Sequence, residues 1–114
     1  MIPGLGTSVR PQLLDESYID EVLHIAEVDT IRTCHRLART GFLFGGSTGT
    51  VVSGALDWLA RHSRPDLTAV AIAPDLGERY LDTIHQANWV HDLFGEEVLR
   101  SSELTTASRL PADL

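Results

Sequence analysis

Residues 67–73, LTAVAIA, form an almost unbroken apolar and β-branched run, and no other stretch restricts the fold as tightly. A strand with one wet face alternates apolar and polar residues, whereas a strand covered on both faces reads as continuous apolar sequence. The run therefore predicts a central parallel strand, and such a strand needs neighbours on both edges and helices on both faces. Around it the expected order is a strand over 18–25, a helix over 27–39, a very short strand over 42–44 and a helix over 48–61. After the run come a short helix following the turn at Pro74 and another in NWVHDLFG. Alternation of this kind predicts an α/β protein of three αβα layers. Two or three strands leave sheet edges open, so the sheet is incomplete, and the chain reads as a piece of a larger α/β protein. Residues 1–11 carry Pro3, Gly4, Gly6 and Pro11 and read as an irregular loop. Residues 1–100 read as one structural unit, and the polar stretch 101–114 as a flexible tail.

Composition narrows the function. With 43% apolar and 22% charged residues, the 114-residue chain is expected to bury a core. A net charge of −7 with no basic cluster argues against a nucleic-acid surface. All nine basic residues are arginine; the chain contains no lysine. A single cysteine, Cys34, precludes an internal disulfide and suits a reducing, cytoplasmic setting. The first residues lack a signal-peptide pattern, and no segment reaches the roughly 18 apolar residues of a membrane helix.

The turn GGSTGT, residues 45–50, is the main candidate for chemistry. Gly45 and Gly46 permit positive φ and close backbone approach. Ser47 can cap the helix that starts there, and helix N-terminal amides can receive a small polar or anionic group. Capping is the commoner use of such a turn, and a Walker A loop is excluded because its lysine is missing. Asp75, Glu78 and Arg79 follow the apolar run, where ligands gather in open α/β sheets, although an acid-rich helix start and a surface ion pair explain them equally well. His85 and His91 sit six residues apart, on different helix faces and away from metal-ligand spacing, so solvated or cap-adjacent roles are expected. Cys34 falls on the apolar stripe of its helix and reads as a small buried residue rather than a nucleophile. Trp58 and Trp89 are expected to pack.

Three stretches occur together in one order: IPGLGTSVRPQLLDESYIDEVLHI, CHRLARTGFLFGGSTGTVVSGAL and AVAIAPDLGERYLDTI. They resemble the C-terminal part of the fold type II pyridoxal-phosphate enzymes, the cysteine synthase and cystathionine β-synthase family, from Ile2 to about Phe94. G-G-S-x-G and D-x-G-E-R-Y carry the resemblance. The wording GLGTSVRPQLLD is closest to the branch that makes 2,3-diaminopropionate precursors for siderophores by joining O-phosphoserine to glutamate.

The resemblance implies that Ser47 hydrogen-bonds the pyridine nitrogen of pyridoxal 5'-phosphate. It places Gly45, Gly46 and Thr48 beside the cofactor and Pro74 and Asp75 against its ring. It also implies that Gly4, Leu5 and Gly6 form a loop on the substrate side, where Arg10 could meet a substrate carboxylate. A hydroxyl, unlike a carboxylate, does not stabilise a protonated ring nitrogen, which favours β-elimination to an aminoacrylate and addition of a nucleophile. The family's Schiff-base lysine and phosphate loop lie far upstream of the matching region, and neither occurs in these 114 residues. The resemblance therefore implies a lysine-bearing N-terminal portion as partner, small amino acids as substrates and a homodimeric parent. A cysteine synthase-like enzyme using sulfide and a non-catalytic interaction module are the alternative readings.

Overall fold

The structure, a computed structural model, describes residues 2–5, 10–62 and 64–104, with side chains described as far as residue 100. Gly6 and residues 105–114 of the expected tail lie outside the described residues. Among the described residues, four α-helices make up the regular structure, α1 Glu27–Arg39, α2 Gly46–Arg61, α3 Ala87–Phe94 and α4 Glu96–Leu104, together with two single 3-10 turns, Glu16–Tyr18 and Gly77–Tyr80.

Helix α1 has the expected bounds. Glu27 and Asp29 in its first turn and Arg36 and Arg39 in its last complement the helix dipole. At its end Thr40 Oγ1 donates to the Leu37 carbonyl at 2.8 Å, and Gly41 turns the chain at φ +97°. Helix α2 begins two residues earlier than expected, at Gly46. Its N-cap is Gly45, so Ser47 lies inside the first turn and is not the cap. Gln86 caps α3 by accepting from the Trp89 N–H at 2.6 Å, and Gly95 ends it at φ +84°. Helix α4 runs across the expected tail boundary at residue 100.

The core lies among Ile2, Ile31, Cys34, Tyr80, Ile84, Val90 and Val98. Helix α1 packs against α2 and α4, and α3 packs against α4. Ile2 anchors the N-terminal segment: its side chain is buried, and its N–H donates to Glu27 Oε1 at 2.9 Å. Trp89 packs against this core as expected. Trp58, half-buried, instead donates its Nε1–H to Glu21 at 3.0 Å, and its ring stacks on His62 with centroids 3.9 Å apart.

The described residues form a small helical domain, and the expected αβα layers are not seen among them. The only pairing of extended backbone among them is an isolated antiparallel bridge between Phe44 and Leu76. Residues 19–25 and 67–73 are without regular secondary structure, and no hydrogen bond joins residues 68–73 to another segment among the described residues. Val70 is 88% and Ile72 78% exposed. A strand is stable only when its N–H and C=O groups are paired, and the described residues offer this run no partner.

Helix α2 carries a wide face of large apolar residues, but these are not the residues it buries. Its buried residues are Gly46, Thr48, Gly49 and Gly54, while Val51 is exposed and Leu56 and Leu59 are half-buried. Helix α1 comes closest to α2 at Gly49, where an added Cβ would stand 2.9 Å from the Thr30 carbonyl oxygen. At this crossing Thr50 Oγ1 donates to the Gly46 carbonyl at 3.1 Å and lies 2.7 Å from Thr30 Oγ1. No helix among the described residues is long and apolar enough to cross a membrane.

Candidate functional site

The turn entering α2 is held by its neighbours at almost every polar atom. Gly77 N–H donates to the Leu43 carbonyl at 3.0 Å and Gly45 N–H to the Asp75 carbonyl at 3.3 Å, which lays residues 43–45 beside residues 75–77. His85 Nε2–H donates to the Phe44 carbonyl at 2.9 Å, and the Cys34 thiol donates to the Gly45 carbonyl at 3.4 Å.

This pairing delivers the Asp75 carboxylate to the N-terminus of α2. Asp75 Oδ1 accepts the Thr48 N–H at 2.8 Å and lies 2.7 Å from the Thr48 hydroxyl, while Oδ2 accepts the Ser47 N–H at 3.2 Å. The Thr48 hydroxyl also lies 2.9 Å from the Asp75 carbonyl and 3.3 Å from its N–H. A carboxylate thus supplies across the chain the cap that Gly45 cannot supply locally, at the end of the dipole where negative charge is favoured.

Tyr80 completes the arrangement: it packs with the Asp75 carboxylate against Gly45, and the two side chains influence each other's ionisation. Burial alone would raise the Asp75 pKa; the interactions with Thr48, Tyr80 and Ser47 outweigh it and hold the group below the usual carboxylate range. The Tyr80 hydroxyl is shifted upward, by burial first and then by the Asp75 carboxylate.

The two glycines owe their identity to this packing. Neither has positive φ, which departs from the expectation for the pair. A Cβ on Gly45 would collide with the Asp75 carboxylate and meet Tyr80 Cε2 at 2.5 Å. One on Gly46 would lie 3.1 Å from both Ile2 and Ile84. The close approach that glycine permits is used by the protein's own side chains.

Ser47 Oγ is the exception in this clamp. It hydrogen-bonds no group among the described residues, Ser47 is half-buried, and no fully buried side-chain polar atom there lacks a partner, so this hydroxyl reaches solvent. Of the other expected site residues, Pro74 and Asp75 line a recess of about 390 Å³ together with Leu76, Glu78, Arg79 and Tyr80. Gly4 sits in a turn at φ +78°, where a Cβ would be 3.4 Å from the Tyr80 hydroxyl. Leu5 packs against the core. Arg10 pairs with Glu16 at 3.1 Å on an exposed surface. No group of three or more His, Cys, Asp or Glu among the described residues is placed to hold a metal.

Sequence reasoning missed Tyr80, and missed Cys34 and His85 as parts of this turn. Cys34 is buried, as expected, and His85 is bonded to backbone rather than solvated. The available signal for Tyr80 was its place in the D-x-G-E-R-Y run; nothing in residue spacing announces that Cys34 and His85 reach the same turn.

No family model matches the chain. It is similar to two curated proteins, each named N-(2-amino-2-carboxyethyl)-L-glutamate synthase. With that of Ralstonia nicotianae it shares 43% identity over 90 residues, covering 78% of this chain and 26% of the relative. With that of Cupriavidus metallidurans it shares 37% identity over 118 aligned residues, covering 97% of this chain and 34% of the relative. The chain therefore spans between a quarter and about a third of the length of these curated relatives, and is homologous to a part of each.

Proposed function

We propose that the chain is the C-terminal part of a pyridoxal-phosphate-dependent β-replacement synthase. The assembled enzyme joins O-phosphoserine to the amino group of glutamate, breaking the Cβ–O bond, forming a Cβ–N bond and releasing phosphate. The observation that carries this reading is the similarity to two synthases whose name states that product, one of them matched across nearly the whole chain.

The residues present fit one edge of the cofactor. Ser47 offers an accessible hydroxyl on a clamped turn, suited to a single hydrogen bond with a ring nitrogen, and Pro74 and Asp75 lie at the recess beside it. Pyridoxal phosphate, when bound, supplies the electron sink that lets a β-substituent leave and a nucleophile add. The lysine and the phosphate loop belong, on this reading, to the portion of the synthase outside these residues. Ser47 then serves to orient the ring and to leave its nitrogen uncharged, since a hydroxyl provides no compensating negative charge. The open segments 19–25 and 67–73 are the surfaces on which the lysine-bearing portion docks, with Val70 and Ile72 buried on assembly.

The test combines the chain with a lysine-bearing N-terminal portion and offers O-phosphoserine with glutamate or with sulfide. Bound-cofactor absorbance and glutamate-dependent product are expected. Consumption of sulfide alone would move the enzyme to the cysteine synthase reading. Tight association without cofactor signal would favour the interaction module, to which the absence of lysine also points.

A further inference from the structure

We propose that Asp75 is the positioning residue of the Ser47 hydroxyl, holding the first turn of α2 so that Ser47 Oγ stays free to meet the ligand. The inference rests on the function proposed above and goes beyond it by assigning a role to a residue that would not itself touch the reacting atoms.

The argument starts from what Ser47 would do alone. A serine hydroxyl near a helix start competes for nearby backbone N–H groups, and this makes serine a good cap. In α2 the cap position is glycine, so the amides of Ser47 and Thr48 would be without acceptors, and Ser47 Oγ would be the nearest group able to fold back toward them. Asp75 removes that competition. Its two carboxylate oxygens take both amides, at 3.2 and 2.8 Å, and lie against the Thr48 hydroxyl at 2.7 Å.

The carboxylate is itself fixed. Tyr80 packs beside it against Gly45, the Gly45 N–H donates to the Asp75 carbonyl, and a side chain on Gly45 would displace it. Asp75, which lines the recess, therefore links it to the first turn of α2 and the direction of the Ser47 hydroxyl. Such an arrangement needs a short acceptor with two oxygens: alanine removes both, asparagine keeps one and loses the charge, and glutamate is one methylene too long for the space.

Two measurements test this. In the 114-residue chain, amide hydrogen exchange at Ser47 and Thr48 is compared for wild type, Asp75→Ala and Asp75→Asn. Protection at both amides is expected to fall at least about tenfold in Asp75→Ala and less in Asp75→Asn, with α3 and α4 unchanged. In the assembled synthase, the absorbance and emission of bound pyridoxal phosphate are compared for Asp75→Ala, Ser47→Ala and the double variant. Asp75→Ala is expected to shift the spectrum in the same direction as Ser47→Ala, and the double variant to add nothing further, because one residue acts through the other.

Unchanged exchange at Ser47 and Thr48 in Asp75→Ala overturns the proposal, as do independent, additive spectral shifts. If the wild-type assembly binds no cofactor, the functional reading fails and the proposal with it. The exchange result still shows separately whether Asp75 holds the turn. Asp75→Asn keeps the test decisive if Asp75→Ala does not fold.

Discussion

The Cys34 sulfur lies against Gly49 so closely that a Cβ at Gly49 would overlap it, and the same Cβ would stand 2.9 Å from the Thr30 carbonyl oxygen. Glycine inside a helix ordinarily costs up to about 1 kcal/mol relative to alanine, so Gly49→Ala would stabilise an isolated α2. Here overpacking reverses the sign. Because the Thr30 oxygen is backbone and cannot turn aside, Gly49→Ala is expected to destabilise by about 1–3 kcal/mol. Cys34→Ala should recover only part of this in the double variant. Urea unfolding measures both, and a Gly49→Ala chain as stable as wild type would show that the helices separate freely.

The same contact governs the thiol. Burial, and after it the nearby Asp75 carboxylate, push the Cys34 pKa up to about 12, against a smaller opposing effect of the Gly49 N–H. The thiolate is the reactive form, and at neutral pH almost none is present in the folded chain. Iodoacetamide is therefore expected to leave Cys34 unmodified in the native protein and to label it after denaturation. Rapid labelling of the native chain would place the sulfur at the surface.

Helix α1 was legible because its signals are local: acids first, arginines last, a glycine stop, and Ile31, Cys34 and Leu37 on one stripe. The run at 67–73 is apolar, but the strand expected there does not form among the described residues: its pairing depends on partners that no local pattern supplies, and Val70 and Ile72 stand in solvent. At the candidate site, the turn itself was legible from GGSTGT. The division of labour within it was not, because Asp75 lies 28 residues from Ser47 and 27 from Thr48 along the chain. A glycine cap completed by a distant carboxylate looks, in sequence, the same as a glycine making room for a ligand.

His35 predicts a pH dependence. Its Nε2–H donates to the Ile84 carbonyl at 2.6 Å, tying α1 to the core. Burial lowers its pKa, opposed by the bond to the Ile84 carbonyl, and electrostatic repulsion from His85 and Arg39 adds to the lowering. A histidine whose folded pKa is depressed binds fewer protons folded than unfolded, so its contribution is present above the unfolded value and is lost as pH falls. The melting temperature is expected to drop as pH falls through about 6.5, the unfolded histidine value. His35→Gln should flatten that slope; an equally steep profile in the variant would assign the dependence to other groups.

Ser47 and Thr48 separate structure from function within a single turn. The Ser47 hydroxyl caps nothing among the described residues, so Ser47→Ala is expected to change stability by no more than about 0.5 kcal/mol. The Thr48 hydroxyl is buried between the Asp75 carboxylate and backbone, so Thr48→Val, which keeps the shape and removes the hydroxyl, should cost about 1–3 kcal/mol. Denaturant unfolding of the two variants checks the order. A Ser47→Ala loss as large as that of Thr48→Val would return Ser47 to the role of helix cap and remove the reason for assigning its hydroxyl to a ligand.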